Sequence, residues 1–314
     1  MERWSSGVIF SYDAILLIAF GGPTCPEEIR PFLARVTAGI AIPPARLEEV
    51  AHHYEAVGGK SPLNEITLRQ AAALQKEFSQ EKLAVYVGMR NAAPFFVDIL
   101  KEMKNNGVQR ALGLILSSHR SEASWERYQK NIADAQAELD GAPAIDYCDG
   151  WHDHPLFIDC WAELIGAAMT GVAQRGEPAL IFTAHSLPTS MAARSPYVEQ
   201  LQTTARLVVA RLGIANWNLA YQSRSGRPSD PWLEPDVGDV IRRHAAQGIK
   251  QVFVAPIGFV CDHVEVLYDL DIEAKKIAND LAIEMIRVSC PNDHPTFVRM
   301  MASVVRSNSE QKNN

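Results

Sequence analysis

One histidine stands at the end of an apolar stretch of strand length. His185 closes the run 181–185 and is followed by Ser186, Leu187 and Pro188. An open α/β sheet places its ligand crevice at the carboxyl ends of the strands, and an imidazole there can accept a proton near neutral pH or bind a metal of borderline softness. The alternative is an imidazole that only hydrogen-bonds the backbone of the turn. Residue type and position allow both roles.

A second group consists of three carboxylates spaced four residues apart. Glu265, Asp269 and Glu273 follow the apolar run 251–256, on a segment whose pattern predicts a helix beginning near Asp262. That spacing places the three side chains in one row along the helix, and a row of oxygen ligands suits the handling of a divalent cation or the relay of protons. The alternative explains only the first carboxylate, because Asp262 and Glu265 have the spacing of a capping box, in which Glu265 bonds back to the N-cap amide.

Two further polar segments follow predicted strands. The run 117–128 mixes serines with Trp125 and Tyr128, which predicts either part of a pocket wall or the solvated start of a helix. In the run 221–228, Arg224 and Arg227 either pair with carboxylates of a substrate or are ordinary loop charges.

These groups require a scaffold that brings strand ends together, and eight apolar runs of strand length predict one. Most of the runs are continuous rather than alternating, as expected for strands covered by helices on both faces. The predicted strands are 14–19, 83–87, 110–117, 144–149, 179–183, 219–222, 251–256 and 284–289. Among the predicted helices between them, 44–57, 94–106 and 236–247 each end at a glycine that can adopt a left-handed cap.

Eight strands separated by helices predict a doubly wound α/β architecture. Four strands lie before residues 150–154 and four after Gly176. We therefore expect two similar lobes, each with a four-stranded parallel sheet flanked by helices. The N-terminal α/β lobe covers residues 1–150. The C-terminal α/β lobe covers residues 151–314 and includes a connecting helix at 156–172 and the C-terminal helix.

The composition is that of an ordinary globular protein. The 314 residues are 47% hydrophobic and 21% charged, which excludes disorder, collagen-like repeats and a coiled coil. With 30 basic and 37 acidic residues the net charge is −7, so we expect no nucleic acid partner and no binding to an anionic membrane surface. No apolar run reaches the length of a transmembrane segment, and the run 14–20 is typical of a first strand rather than of a signal peptide. We expect a cytoplasmic protein.

Several common motifs are absent from the sequence. No G-x-G-x-x-G follows a strand and no G-x-S-x-G is present, which removes the usual dinucleotide site and the hydrolase nucleophile elbow. Gly59, Lys60 and Ser61 resemble the end of a phosphate-binding loop, but Tyr54 stands where that motif requires glycine. The five cysteines are scattered without a C-x-x-C pair, so we expect neither a disulfide framework nor a structural zinc site.

Six segments, taken in order along the chain, resemble those of ferrochelatases, enzymes that insert ferrous iron into a porphyrin late in haem synthesis. The segments are LLIAFGGP at 16–23, YEAVGGKSPL at 54–63, TAHSLP at 183–188, QSRSG at 222–226, WLEP at 232–235 and GFVCDHVE at 258–265. The resemblance extends from about Ala14 to Pro295. Any one segment is a weak signal, whereas six in register are highly specific.

The resemblance implies a chelatase-like fold of two lobes with a porphyrin cleft between them, and a lyase that inserts Fe²⁺. His185 and Glu265 match the family's catalytic residues, which face the porphyrin centre, bind iron and remove the pyrrole protons. Asp269 and Glu273 match an acidic ridge that leads away from that pair. We therefore expect these four residues to handle the metal.

Porphyrin contacts are implied at four positions. Tyr54, Ser61 and Tyr128 match positions at which the bacterial enzymes that use coproporphyrin contact their product. Phe20 stands where some of those enzymes carry an iron-coordinating tyrosine, and phenylalanine cannot act as a ligand. The arginine often found just after the first helix is not at its matching place, because residues 37–38 are Thr-Ala.

The resemblance also implies the substrates. We expect ferrous iron and either coproporphyrin III or protoporphyrin IX, with the segments 35–46 and 117–128 closer in style to the coproporphyrin branch. Some relatives hold an iron–sulfur cluster through C-terminal cysteines, but no cysteine follows Cys290 here, so we expect no cluster and no tightly bound cofactor. We also expect a monomer.

Two alternative functions stay open. One is another tetrapyrrole chelatase on the same fold, which inserts cobalt or nickel. The other is a non-catalytic two-lobed protein that binds haem or a small solute. A binding protein does not need the acidic row, so the presence of that row favours a chelatase.

Overall fold

The computed structural model describes residues 11–39, 42–173, 175–176, 179–225 and 230–310. Arg227, one of the two arginines predicted as candidates for pairing with substrate carboxylates, lies outside them. The strands are β1 (Ala14–Ala19), β2 (Ala84–Met89), β3 (Arg110–Ile115), β4 (Ala144–Tyr147), β5 (Ala179–His185), β6 (Trp217–Gln222), β7 (Gln251–Ala255) and β8 (Glu284–Arg287).

Helices connect all of these strands. The α-helices are α1 (Pro26–Val36), α2 (Pro44–Ala56), α3 (Leu63–Glu77), α4 (Phe96–Asn105), α5 (Arg127–Ala137), α6 (Pro155–Thr170), α7 (Thr189–Ala192), α8 (Tyr197–Leu212), α9 (Val237–Ala246), α10 (Val264–Leu267), α11 (Lys275–Asp280) and α12 (Pro295–Glu310). Two short π-helical segments, Glu122–Glu126 and Asp269–Ala274, lead directly into α5 and α11.

Two four-stranded parallel sheets form the framework. In the first sheet β1 lies between β2 and β3, with β4 beyond β3, and in the second sheet β5 lies between β6 and β7, with β8 beyond β7. The second half of the chain therefore repeats the strand order of the first. The prediction of two four-stranded parallel sheets flanked by helices is confirmed, and each of the eight predicted strands overlaps an observed one.

Strand β1 shows how a continuous apolar run builds two cores at once. Its side chains alternate between the two faces of the sheet. Ile15 and Leu17 lie in one core, Leu16 and Ile18 lie in a second core on the opposite face, and all four are fully buried. Burial of each such side chain stabilises the fold by about 1.5–3 kcal/mol. A strand without a solvent-facing side needs no polar residue in its sequence, which is why the run does not alternate.

One of these cores is shared by both sheets. It contains Leu17 of β1, Phe182 of β5 and Phe253 of β7, together with Trp161 of α6 and Phe297 of α12. The last helix, α12, packs against α6 and also against α3 and β3 of the first half. The two sheets are therefore joined by continuous apolar packing as well as by the chain. The division into lobes at residue 150 stays a prediction.

The predicted glycine caps are present at the ends of all three helices. Gly58 after α2 has a φ of +102°, and Gly107 after α4 and Gly248 after α9 have a φ of +81°, in the left-handed region where glycine has no Cβ to strain. Within the described part of the chain, no helix is long and apolar enough to cross a membrane.

Gly258 lies where the turn after β7 passes close to the end of β5. Its N–H donates to the carbonyl oxygen of Thr183 at 3.1 Å. A Cβ on residue 258 would lie 2.5 Å from the Cβ and 2.8 Å from the Cα of Ala184. Contacts that short cannot be relieved by rotating a side chain, so the turn can approach β5 this closely only with glycine. The approach places the start of the acidic segment beside His185.

We expect Gly258→Ala to lower the free energy of unfolding by about 1–3 kcal/mol, because the added methyl group must displace backbone atoms of β5. Gly166→Ala is the matched control. Gly166 lies inside α6, and a Cβ on residue 166 would have no heavy atom within 4 Å apart from the backbone of its own helix. Alanine there should therefore raise the free energy of unfolding by up to about 1 kcal/mol. Urea denaturation measures both effects. Equal stability of Gly258→Ala and wild type would contradict the close approach.

Candidate active site

A cavity of about 500 Å³ opens at the carboxyl ends of the strands, lined by both halves of the chain. This volume is ordinary for a pocket that holds a small molecule or cofactor. Seven of the eight predicted site residues line it, namely Phe20, Tyr54, Ser61, Tyr128, His185, Glu265 and Asp269. The eighth, Glu273, is not among the lining residues.

His185 presents one of its two ring nitrogens to the cavity. It is the last residue of β5, and its Nδ1 lies 2.5 Å from the carbonyl oxygen of Ser186. A carbonyl oxygen can only accept, so Nδ1 carries the hydrogen and Nε2 is left to face Glu265 Oε1 at 3.6 Å. The backbone hydrogen bond is therefore present, and it leaves Nε2 available for chemistry.

The electrostatics of this pair favour a protonated histidine and an ionised glutamate. Burial acts to lower the pKa of His185, but the negative charge of Glu265, with the Ser186 carbonyl, raises it to about 9. Burial acts to raise the pKa of Glu265, but the positive charge of His185 overcomes that effect and lowers the pKa. The side chains are 29% and 39% exposed, so solvent reaches the pair. At neutral pH it is an imidazolium–carboxylate ion pair.

Glu265 is free to face His185 because it does not cap its own helix. The N-cap of α10 is His263, whose Nδ1 accepts from the Glu265 N–H at 3.2 Å. The alternative in which Glu265 completes a capping box with Asp262 is therefore wrong. Asp262 instead accepts a hydrogen bond from Arg287 at 2.8 Å. Asp262 does not cap the helix because the charged guanidinium of Arg287 binds its carboxylate more strongly than a neutral backbone amide does.

The predicted row of three carboxylates is interrupted. The segment Asp269–Ala274 is π-helical, with Glu273 N bonded to the carbonyl oxygen of Tyr268 at 3.0 Å. A π-helical turn holds more residues than an α-helical turn and so breaks the four-residue register. Asp269 lines the cavity, whereas Glu273 is exposed outside it. The prediction of a single regular row is wrong, and the acidic groups lead from the cavity towards the surface.

Asp269 is held at the cavity wall by a neighbouring strand end. Its Oδ2 accepts a hydrogen bond from the hydroxyl of Ser223, the residue after β6. Burial raises the pKa of Asp269 to about 7, even though the Ser223 hydrogen bond lowers it. Among the described residues, no group of three or more His, Cys, Asp or Glu side chains lies close enough together to hold a metal ion. The acidic and basic groups here form a His–Glu pair with a further carboxylate beside it.

One wall of the cavity is aromatic. Phe20 contacts Phe32 edge-on at a ring separation of 6.1 Å, and Phe32 contacts Tyr54 in the same way at 5.8 Å. Burial raises the pKa of Tyr54 and of Tyr128, so both phenols are neutral. Ser61 lies beside this wall, where its backbone N–H donates to the carbonyl of Pro23 at 2.8 Å. The arrangement suits a flat, apolar ligand.

The segment 117–128 forms part of the cavity wall, one of the two roles predicted for it. Ser121, Ser124 and Tyr128 line the cavity. His119 also reaches the cavity, but its ring nitrogens lie 2.8 Å from the Ser118 hydroxyl and 2.9 Å from the Thr204 hydroxyl. Burial lowers the pKa of His119 to about 3. This histidine is neutral and fully engaged in hydrogen bonds between the two halves.

An arginine that the sequence interpretation missed lines the cavity, whereas the candidate Arg224 does not. Arg224 points into its own loop, where it donates to the carbonyl of Asp230 at 3.0 Å, and it does not line the cavity. Arg46 of α2 does line it. The missed signal is helical spacing, because Arg46, Val50 and His53 lie at i, i+4 and i+7 and so share the face of α2 that meets the cavity.

His53 ties that helix to the acidic segment. Its ring stacks on Tyr268 with centroids 3.7 Å apart and an interplanar angle of 9°. The contact joins α2 of the first half to the residue between α10 and the π-helical segment. It closes one side of the cavity next to Asp269.

Comparison with known proteins gives a consistent result. Residues 12–309 match the family model described as Ferrochelatase. A ferrochelatase of Rhodopirellula baltica is 41% identical over 300 residues, which cover 94% of this chain and 86% of that protein. A coproporphyrin III ferrochelatase of Mycobacterium tuberculosis is 43% identical over 298 residues, covering 94% and 85%, and one of Mycobacteroides abscessus is 41% identical over 300 residues, covering 94% and 88%.

Solved structures show the same architecture at low sequence identity. SirB from Bacillus subtilis with Fe³⁺ has a TM-score of 0.58 at 12% identity, and the sirohydrochlorin chelatase SirB from Bacillus subtilis subspecies spizizenii in complex with cobalt has a TM-score of 0.57 at 11% identity. Each match covers 96% of both chains. The likeness establishes a chelatase-like fold, as predicted.

Proposed function

The chain belongs to the ferrochelatase family, and on that premise we propose that it is a lyase that inserts ferrous iron into a porphyrin, with release of two protons, in haem synthesis. The observation that carries the proposal is the pair of His185 Nε2 and Glu265 Oε1, 3.6 Å apart in a cavity whose other wall is aromatic. This pair supplies an acid–base group beside a surface that can hold a macrocycle.

We propose coproporphyrin III as the porphyrin. Two of the relatives described above bear the name coproporphyrin III ferrochelatase. Coproporphyrin carries more propionate carboxylates than protoporphyrin IX, so its recognition requires charge-assisted contacts around the cavity rim. Arg46 and the hydroxyl groups of Ser121 and Ser124, which line the cavity, are donors of that kind.

His185 is the residue that we assign to the proton transfer. Because Nδ1 is engaged with Ser186, every proton exchanged with the substrate must pass through Nε2. The nitrogen is protonated at neutral pH, so it must release that proton before it can take one from a pyrrole or contact the metal. Asp269, with a pKa raised to about 7 by burial, is partly ionised there and is the nearby acceptor. Glu265 stabilises each imidazolium that forms.

The macrocycle must also be distorted to expose a pyrrole lone pair. Closure of the two halves on the ring supplies this strain, for which about 1–5 kcal/mol is typical of enzymes. Tyr268, which stacks on His53, packs against the same apolar cluster as Phe32 and Tyr54, so both halves contribute to the aromatic side of the cavity that would press on a bound ring. The binding energy of the ring periphery is therefore available for bending its centre.

Anaerobic incubation of the pure protein with ferrous iron and coproporphyrin III tests the proposal. We expect the absorption bands of the free porphyrin to be replaced by those of the iron complex at a rate proportional to protein concentration. Parallel reactions contain protoporphyrin IX, or cobalt or nickel with sirohydrochlorin. Faster insertion in the sirohydrochlorin reactions would assign the protein to another chelatase class, and binding without insertion would make it a porphyrin-binding protein.

We expect Arg46→Gln to raise KM for coproporphyrin III about tenfold with little change in kcat, because a charge-assisted contact to a substrate carboxylate is worth roughly 1.5–3 kcal/mol when fully formed. Arg30→Gln is the matched control. Arg30 pairs with Glu48 at 2.6 Å much as Arg46 pairs with Glu49 at 2.8 Å, but it does not line the cavity. Steady-state kinetics on both variants measures KM and kcat. An unchanged KM in Arg46→Gln would show that Arg46 does not contribute to substrate binding.

We further propose that iron enters as a substrate and that no iron–sulfur cluster is held. The five cysteines form no disulfide, and among the described residues no three of them lie together at a site that could hold a metal. The cytoplasmic location and the monomeric state stay predictions.

A further inference from the structure

Ser223 adopts a backbone conformation that serine rarely takes. It follows the last residue of β6 and has a φ of +61°, in the left-handed region. A residue other than glycine held in that region is strained, and such a conformation persists where the surrounding structure requires it. Glycine would fit this backbone without strain, so the serine side chain must be accounted for by what it contacts.

The unusual φ lets two consecutive residues reach the same helical segment. In a regular strand, neighbouring side chains point to opposite faces. Here Gln222 donates from Nε2 to the carbonyl oxygen of Glu265 at 2.6 Å, and Ser223 donates from its hydroxyl to Oδ2 of Asp269. The end of β6 therefore holds both residues that bring carboxylates to the cavity, and it holds Asp269 by the carboxylate itself.

The two hydrogen bonds differ in what they position. Gln222 is 1% exposed and holds the backbone carbonyl of Glu265 in α10. This is a structural role, because any residue at position 265 would offer the same carbonyl. The Ser223 hydroxyl lines the cavity and contacts a carboxylate that lines it too. It fixes one oxygen of Asp269 and so sets the direction of the other.

We propose that Ser223 is a positioning residue, whose hydroxyl holds the Asp269 carboxylate in the orientation that exchanges a proton or metal with His185, and that the left-handed backbone at residue 223 is what brings the hydroxyl there. The inference rests on the proposed function, because the exchange is a step of metal insertion. It assigns Ser223 no contact with the reacting atoms.

Three substitutions of Ser223 separate positioning from folding. Ser223→Gly removes the hydroxyl and relieves the backbone, so we expect the melting temperature to rise by about 1–3 °C while kcat for iron insertion falls about tenfold. Ser223→Ala should lose the same activity without the gain in melting temperature. Asparagine tolerates the left-handed region and carries an N–H donor, so Ser223→Asn should recover most of the activity. KM for the porphyrin should stay unchanged in all three.

The outcomes are distinguishable from those that test the function itself. A wild-type protein that inserts no iron contradicts the proposed function, whatever the variants do. With an active wild type, a glycine variant of normal kcat overturns the positioning role. A glycine variant whose kcat and melting temperature fall together overturns it as well, since the hydroxyl would then stabilise the fold. In an Asp269→Asn background, Ser223→Gly should have no further effect on kcat, and a full tenfold effect there would also contradict the proposal.

Discussion

Replacement of His185 by alanine is expected to abolish iron insertion and to leave porphyrin binding intact. The substitution removes Nε2, the nitrogen that lies 3.6 Å from Glu265 and faces the cavity. Loss of a positioned acid–base group costs about 10²–10⁴-fold in rate, and loss of the contact with the incoming metal adds to this. Porphyrin binding depends on the aromatic wall and on Arg46, which the substitution does not touch. Single-turnover absorbance measures insertion, and quenching of protein fluorescence measures binding.

His294 offers a matched control for the loss of a histidine–carboxylate pair. Its Nδ1 lies 3.8 Å from Glu163, and its side chain is 29% exposed, as that of His185 is. His294 does not line the cavity, so His294→Ala should insert iron at the wild-type rate. His185→Asn adds a second test, because its amide can still donate to the Ser186 carbonyl while Nε2 is absent. Near-normal turnover in His185→Ala or His185→Asn would show that the assignment is wrong.

The strands were predictable from the sequence because burial on both faces leaves a continuous apolar run. For β1 the predicted and observed bounds agree. For β5 the prediction ended at Thr183, whereas the strand continues to His185, paired with Gln222 of β6. Backbone hydrogen bonds carry the strand on to the polar His185, which hydrophobicity alone does not include in a strand. The extension therefore adds the residue that matters most for the site.

Site residues that directly follow a predicted strand could be located from the sequence. Features that depend on contacts with residues distant in the chain could not. His185 and Glu265 stand after apolar runs, so their position near the crevice followed from the topology. The salt bridge that draws Asp262 away from the helix N-terminus comes from Arg287, a residue 25 positions along the chain. The π-helical segment and the left-handed Ser223 likewise depend on tertiary packing. The spacing of residues within a short segment does not reveal such tertiary contacts.

Replacement of Glu265 by glutamine is expected to lower the pKa of His185 and to slow iron insertion by about 10²-fold or more. In the wild type, burial acts to lower that pKa, and the charge of Glu265 raises it to about 9. Without that charge, burial is opposed only by the Ser186 carbonyl and the charge of Asp269, so the pKa should fall from about 9 towards 6.5, the ordinary value for histidine. His185 is then neutral at pH 7.5, and the imidazolium formed by proton transfer lacks its counter-charge. NMR titration of the His185 ring measures the pKa, and insertion kinetics between pH 6 and 9 measures the rate.

The same pair makes a pH-dependent contribution to stability whose sign follows from the two pKa shifts. The raised pKa of His185 means that its contribution is complete below about pH 6.5 and is lost as the pH rises through about 9. The lowered pKa of Glu265 means that its contribution is complete above about pH 4.5 and is lost on acidification. Wild type should therefore exceed Glu265→Gln in free energy of unfolding most at pH 5–6, and the difference should shrink towards pH 10. Glu163→Gln, which breaks the His294 pair, controls for the loss of a surface carboxylate. An unchanged His185 pKa in Glu265→Gln, with a stability difference independent of pH, would mean that the two side chains are not coupled and that His185 works without Glu265.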